Sequence, residues 1–256
     1  MFISIKKHSI VAFVLVVALI GVCMLGMSNE NVSTVFNNQS LRKVPVYSVD
    51  TQEKVVALTF DAAWGADKTE GILEILQKHS VGGTFFLVGF WIDKYPDMVK
   101  KIAESGCDIG NHSQNHLNMS TLSKEKISSE LDYVNDKVEE LTGKTPKYFR
   151  PPFGDYNNNL LEVVEEKQMT GIQWSVDSLD WQGKSATDIL SRVSKNVKNG
   201  SIILFHNNSD NILEALPLVI ANLKNQGYKM VPLSQMVYEK NYTIDNNGVQ
   251  HINVAN

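Results

Sequence analysis

From Lys54 onward the chain alternates. Short apolar runs of strand length are each followed by a stretch with helical spacing, and the pattern returns seven times before Met236. The first run is Val55-Val56-Ala57-Leu58-Thr59-Phe60, and a helix is expected over 67–79, where Ile72, Leu73, Ile75 and Leu76 share one face. Strands follow at 83–88, 107–110, 147–149, 170–176, 201–205 and 229–231, with helices expected over 91–105, 123–141, 158–167, 185–197 and 212–225. Pro96 restarts the second helix, while Ser123 and Gly143 bracket the third as cap and stop. Strands of this kind, separated by helices, cannot pair as hairpins; they build a parallel sheet. Seven units predict a (β/α) barrel, distorted because a strand short of eight, with a doubly wound open sheet as the alternative. No Gly-x-Gly-x-x-Gly follows the first strand, so nothing supports a dinucleotide-binding version.

The ends of the chain read differently. Lys6, Lys7 and His8 precede an unbroken apolar run from Ile10 to Leu25, with no small-x-small cleavage signal behind it. Residues 1–27 are expected to be a signal-anchor or transmembrane segment, which places the protein in the cell membrane as a single-pass chain with its domain outside, or secretes it if the signal is cut. Residues 28–52, rich in Asn, Ser and Val, read as a linker or irregular lead-in strand, 53–238 as the folded domain, and 239–256 as a polar, loosely held tail. Cys23 lies in the anchor and Cys107 in the domain, so the domain has no disulfide of its own. A net charge of -4, without a basic block past the N-terminus, excludes a nucleic-acid partner. Nothing in the sequence calls for an obligate protein partner.

The polar residues fall at the C-terminal ends of the expected strands. Asp61 follows the first, His112 and His116 the third, Arg150 the fourth, Asp177 and Asp180 the fifth, and His206 the sixth. Each alone has a structural explanation: a helix cap, a surface ion pair, a satisfied loop histidine. In a barrel, however, these strand ends share one rim, the rim that carries chemistry. The histidines are four apart, so on a helical turn both imidazoles would face one metal ion.

Five segments in order, Thr59-Phe60-Asp61, His112-Ser113-Gln114-Asn115-His116, Arg150-Pro151-Pro152-Phe153-Gly154, Asp177-Ser178-Leu179-Asp180-Trp181 and Leu204-Phe205-His206, resemble polysaccharide deacetylases of the NodB-homology type, the family-four carbohydrate esterases. With the N-terminal anchor, Asp61-Ala62-Ala63-Trp64-Gly65 looks most like the sporulation-associated PdaB-like branch. The resemblance implies a hydrolase that removes N-acetyl groups from peptidoglycan or a related amino-sugar glycan, in sporulation or the cell envelope. It implies a divalent metal, zinc, on His112 and His116, with Asp61 as general base, His206 as general acid, Asp180 holding His206, and Arg150 orienting Asp61. Pro152, Phe153, Trp181 and Leu204 would contact the substrate, Phe153 through its backbone N–H. One position departs from the pattern: the family usually carries a second carboxylate after the base as third metal ligand, and here that residue is Ala62. A methyl group cannot ligate a metal, so weak or absent occupancy is expected. The alternative is a glycan-binding member with little or no turnover.

Overall fold

The computed structural model describes residues 42–253. The expected anchor over 1–27 and the first part of the expected linker, 28–41, lie outside the described residues. Among the described residues no helix is long and apolar enough to cross a membrane.

The fold is built outward from β2 (Val55–Ala62), whose residues are nearly all buried. It pairs in parallel with β3 (Thr84–Leu87), β8 (Ile202–His206) and β9 (Lys229–Val231). Alternation along β2 explains its uninterrupted apolarity. Val56, Leu58, Phe60 and Ala62 pack into the layer shared with the helices, while Ala57 joins the cluster inside the sheet's curl. The remaining strands are β4 (Asp108–Asn111), β5 (Tyr148–Phe149), β6 (Thr170–Gly171) and β7 (Val176–Asp177). The path runs β6-β5-β4-β3-β2-β8-β7, with β9 beside β2, and every pairing in this sheet is parallel.

The helices are α1 (Thr69–Lys78), α2 (Gly89–Lys94), α3 (Pro96–Glu104), α4 (Lys124–Thr142), α5 (Asn158–Glu166), α6 (Ala186–Asn196) and α7 (Ile212–Asn225). Local signals set several boundaries. Ser123 Oγ accepts the Lys126 N–H, Ser185 Oγ accepts that of Asp188, and Gly143 ends α4 at φ 71°. Pro96 separates α2 from α3, since it supplies no N–H to continue the first helix.

The expected strand over 170–176 divides in two. Its halves, β6 and β7, stand at opposite ends of the sheet path. Five residue steps separate Gly171 from Val176, a reach of at most roughly 18 Å, so the sheet must curl until its ends approach. The distorted barrel is therefore the architecture, and the open doubly wound sheet is not. The strand breaks because its middle bonds elsewhere: Gln173 gives its N–H to Val46 and its carbonyl to the Arg150 guanidinium.

Both flanks of the domain are also more ordered than their composition predicts. Within the expected linker, Val46 and Val49 are buried, and β1 (Ser48–Val49) pairs with a C-terminal hairpin of β10 (Tyr242–Ile244) and β11 (Val249–Ile252). The expected loose tail is thus a hairpin. Gln250 fastens it: fully buried, its side-chain amide accepts the Tyr238 N–H at 2.9 Å and donates to the Tyr238 carbonyl at 2.8 Å, as a neighbouring strand would.

Candidate active site

The rim residues converge. Asp61, next to last in β2, and His206, which ends β8, are register partners across that parallel pair. A cleft of about 690 Å³ opens over them, lined also by His112, His116, Asp180, Leu204, Phe153 and Trp181. Two expected site residues stand back from it. Arg150 is fully buried beneath, and Pro152 is buried without lining the cleft.

Arg150 acts through Asp61. Its Nη1 donates to Asp61 Oδ1 at 2.7 Å, and its Nη2 to Thr59 Oγ1 at 2.9 Å and to the Gln173 carbonyl at 3.1 Å. The guanidinium lies 4.2 Å over the Phe86 ring and 5.6 Å from that of Trp174. A buried charge needs partners to be tolerated, and both terminal nitrogens of the guanidinium have them, while the buried Nε–H has none. Burial disfavours ionised Asp61, but Arg150, with lesser help from His112 and His206, more than offsets that and holds the carboxyl below its usual range. Asp61 is therefore a carboxylate aimed into the cleft, ready to accept a proton.

His206 is arranged oppositely. Asp180 accepts both its backbone N–H and its Nδ1–H, each at 2.8 Å. Burial alone would favour neutral imidazole, yet the Asp180 hydrogen bond and charge outweigh it and raise the pKa. Because Nδ1 is engaged, Nε2–H is the proton His206 can deliver into the cleft. The loop carrying Asp180 is itself tied down, since Ser209 Oγ donates to the Asp180 carbonyl at 3.1 Å.

His112 and His116 meet, with ring centroids 5.0 Å apart, but not on a helical turn as their spacing suggests. Ser113 and His116 have φ of 66° and 52°, and side chains hold the loop: Ser113 Oγ accepts the His116 N–H, and Glu130 accepts from the backbone and side chain of Asn115. His112 donates Nδ1–H to the Arg150 carbonyl at 2.7 Å, which leaves the Nε2 lone pair facing Asp61 Oδ2 at 3.5 Å. Burial lowers the His112 pKa, and burial reinforced by His112 lowers that of His116 to about 4. Both are neutral, the form that ligates metals.

Two neutral imidazoles do not complete a resident metal site. Ala62 is fully buried in the apolar layer with Phe60 and Leu87, and Asp67 is exposed beside Lys68. Among the described residues no group of three His, Cys, Asp or Glu side chains is placed to hold an ion. The donor set falls one protein ligand short.

Several residues of the site lie outside the expected set. Trp64, Trp174, Asn208 and Asp210 line the cleft, and Thr59 and Gln173 hold Arg150. Of these, Trp64 and Thr59 belong to segments legible in the sequence, Asp61-Ala62-Ala63-Trp64-Gly65 and Thr59-Phe60-Asp61, although neither is singled out there for the site.

Comparison with known proteins agrees with this geometry. The profile of the polysaccharide deacetylase family matches residues 48–172. An uncharacterized protein of Bacillus subtilis, YlxY, is 38% identical over 201 residues, covering 78% of this chain and only 63% of its own length. A peptidoglycan-N-acetylglucosamine deacetylase of Bacillus cereus is 37% identical over 185 residues, covering 71% of this chain and 67% of its own. Among solved structures, a family-four carbohydrate esterase pseudoenzyme of Bacillus anthracis superposes with TM-score 0.74 at 36% identity, over 77% of this chain and 70% of that one. A mutant of the same pseudoenzyme, described as having restored enzymatic activity, superposes equally well at TM-score 0.74.

Proposed function

The chain belongs to the polysaccharide deacetylase family, and on that premise we propose that it hydrolyses N-acetyl groups of peptidoglycan or a related amino-sugar glycan. The observation that carries this reading is the juxtaposition of Asp61 and His206 on adjacent strands, one kept anionic and the other favoured as imidazolium. General acid–base chemistry needs such a pair with its pKa values pushed apart. Asp61 takes a proton from water as the water's oxygen attacks the acetamide carbonyl. The resulting oxyanion is met by the backbone N–H of Phe153, whose φ of 60° sets it apart from its helical neighbours. His206 then gives its Nε2 proton to the departing amine as the C–N bond breaks, releasing acetate. Arg150 touches no substrate; it positions Asp61. Trp181 and Leu204 border the acetyl group.

Deacetylases of this family are in general metal-dependent. In this chain zinc would have only His112 and His116, two neutral ligands, and would be weakly held. The apolar N-terminal run supports an extracytoplasmic domain anchored at the cell membrane, where such a glycan lies, and the segment from Asp61 to Gly65 supports a role in sporulation.

A second reading, glycan binding with little or no turnover, is favoured by Ala62 and by the likeness to a pseudoenzyme. Acetate release from N-acetylated peptidoglycan, measured with and without added zinc, separates the two. Release that disappears in Asp61→Asn and His206→Ala supports the hydrolase. Wild-type protein that binds the glycan but releases no acetate under either condition leaves the binding reading in its place.

A further inference from the structure

Large aromatic side chains are ordinarily covered, yet Trp64 is 57% exposed, Trp181 60% and Phe153 70%, and all three line the cleft. Phe90, 38% exposed, meets Trp64 ring to ring, with centroids 6.4 Å apart and planes tilted by 45°. The Trp64 ring also meets that of His116 at 5.1 Å. Trp64 thus stands at the cleft supported by two rings, with more than half its surface open to solvent. Its loop is pinned, because the Gly65 carbonyl accepts Trp91 Nε1–H at 2.6 Å and Asn207 Nδ2–H at 2.8 Å. An indole held in place before binding loses little conformational freedom when a ligand lies on it.

The sheet order gives the aromatics their arrangement. Trp64 follows β2 and Phe90 follows β3, whereas Trp181 follows β7, and β8 with His206 runs between β2 and β7. The Trp64–Phe90 pair and Trp181 therefore flank the reacting centre on its two sides. A pyranose ring has a flat face of C–H bonds and a polar edge. Trp64 and Phe90 suit the face, and Asn208 and Asp210, on the same cleft, suit the edge. A space of about 690 Å³ is also far larger than one acetamide group requires.

We propose that Trp64, backed by Phe90, is a sugar-stacking platform for the unit next to the one that carries the reacting acetamide. The site then takes a chain of three or more N-acetylated amino sugars, spread from Trp64 past His206 to Trp181, in preference to a single sugar. This rests on the glycan reading of the cleft above, and it holds whether or not the acetyl group is hydrolysed.

Calorimetric titration of the full chain with N-acetylglucosamine as monomer, trimer and pentamer tests it, with acetate release followed in parallel. Wild type is expected to bind the trimer roughly tenfold or more tighter than the monomer, on the order of one well-packed aromatic contact. Trp64→Ala removes that gain, Trp64→Phe keeps most of it, and Trp181→Ala weakens all three ligands together. Thermal melting of each variant confirms that the fold survives, as expected for substitutions at exposed rings. Equal affinity for all lengths in wild type, or a Trp64→Ala protein that keeps the trimer gain, overturns the platform and leaves the deacetylase reading intact. Length-dependent binding without acetate release overturns the deacetylase reading and keeps the platform. No binding at any length overturns both.

Discussion

Asp61 and His206 sit side by side on β2 and β8, and their surroundings drive their protonation in opposite directions. Arg150 lowers the Asp61 pKa against its burial, and Asp180 raises that of His206 against its own. Each works through a partner, so each partner can be tested apart from the reacting group.

Removing the Asp180 charge should move the alkaline limb of the pH–rate profile. The folded pKa of His206 is raised, so the stabilising pair is fully present below about 6.5 and is lost as pH rises through the folded value. Asp180→Asn should shift the alkaline limb to lower pH and reduce kcat more than it raises KM, because the proton transfer belongs to the transition state. A profile unchanged on the alkaline side would remove His206 as the acid.

The acid limb should answer to Arg150. The folded pKa of Asp61 is depressed, so the pair stabilises above the usual carboxylate value of about 3.9 and this is lost as pH falls through the folded value. In Arg150→Met the burial of Asp61 is no longer offset, its pKa rises, and the acid limb moves to higher pH. The variant also leaves a buried carboxylate without its partner, at a stability cost of about 3–5 kcal/mol. Urea unfolding at pH 7 reads the second effect and the rate profile the first. An unmoved acid limb in a folded variant would mean that Asp61 is not the titrating base.

Zinc should bind wild type weakly and Ala62→Asp more tightly. Position 62 is fully buried in an apolar layer, so a carboxylate there destabilises the metal-free protein and is compensated only if it reaches an ion. The melting temperature of Ala62→Asp should fall without zinc and recover with it, and titration should show affinity tighter by on the order of tenfold or more. Equal affinity in both proteins would mean that position 62 does not reach the histidines.

The C-terminal hairpin should contribute to domain stability. Removing residues 240–256 takes away Gln250, which answers both backbone groups of Tyr238, and the strand that pairs with β1. Gln250→Ala alone should lower the melting temperature by about 2–6 °C, from roughly 1–2 kcal/mol of lost buried hydrogen bonding. Melting curves that coincide for the truncated and full chains would show the hairpin to be passive.

The sequence determined the β/α order, because burial on both faces writes an uninterrupted apolar run into β2 and β8, and helices print their 3.6-residue spacing directly. It also determined the candidate site: Asp61, Arg150, Asp180 and His206, at or just past strand ends, are legible because a parallel sheet puts every C-terminal end on one rim. Tertiary structure alone decided the rest. The split of 170–176 into β6 and β7 depends on bonds that Gln173 makes to Val46 and Arg150, far away in the chain. The meeting of His112 with His116 depends on left-handed backbone at Ser113 and His116, which no spacing rule foretells. The aromatic rim of Trp64 and Phe90 comes from neighbouring strands, and the hairpin finds its partner in β1, some two hundred residues earlier. Periodicity records what each residue does to its neighbours along the chain; polar partners and ring contacts between distant segments leave no period, and only folding brings them together.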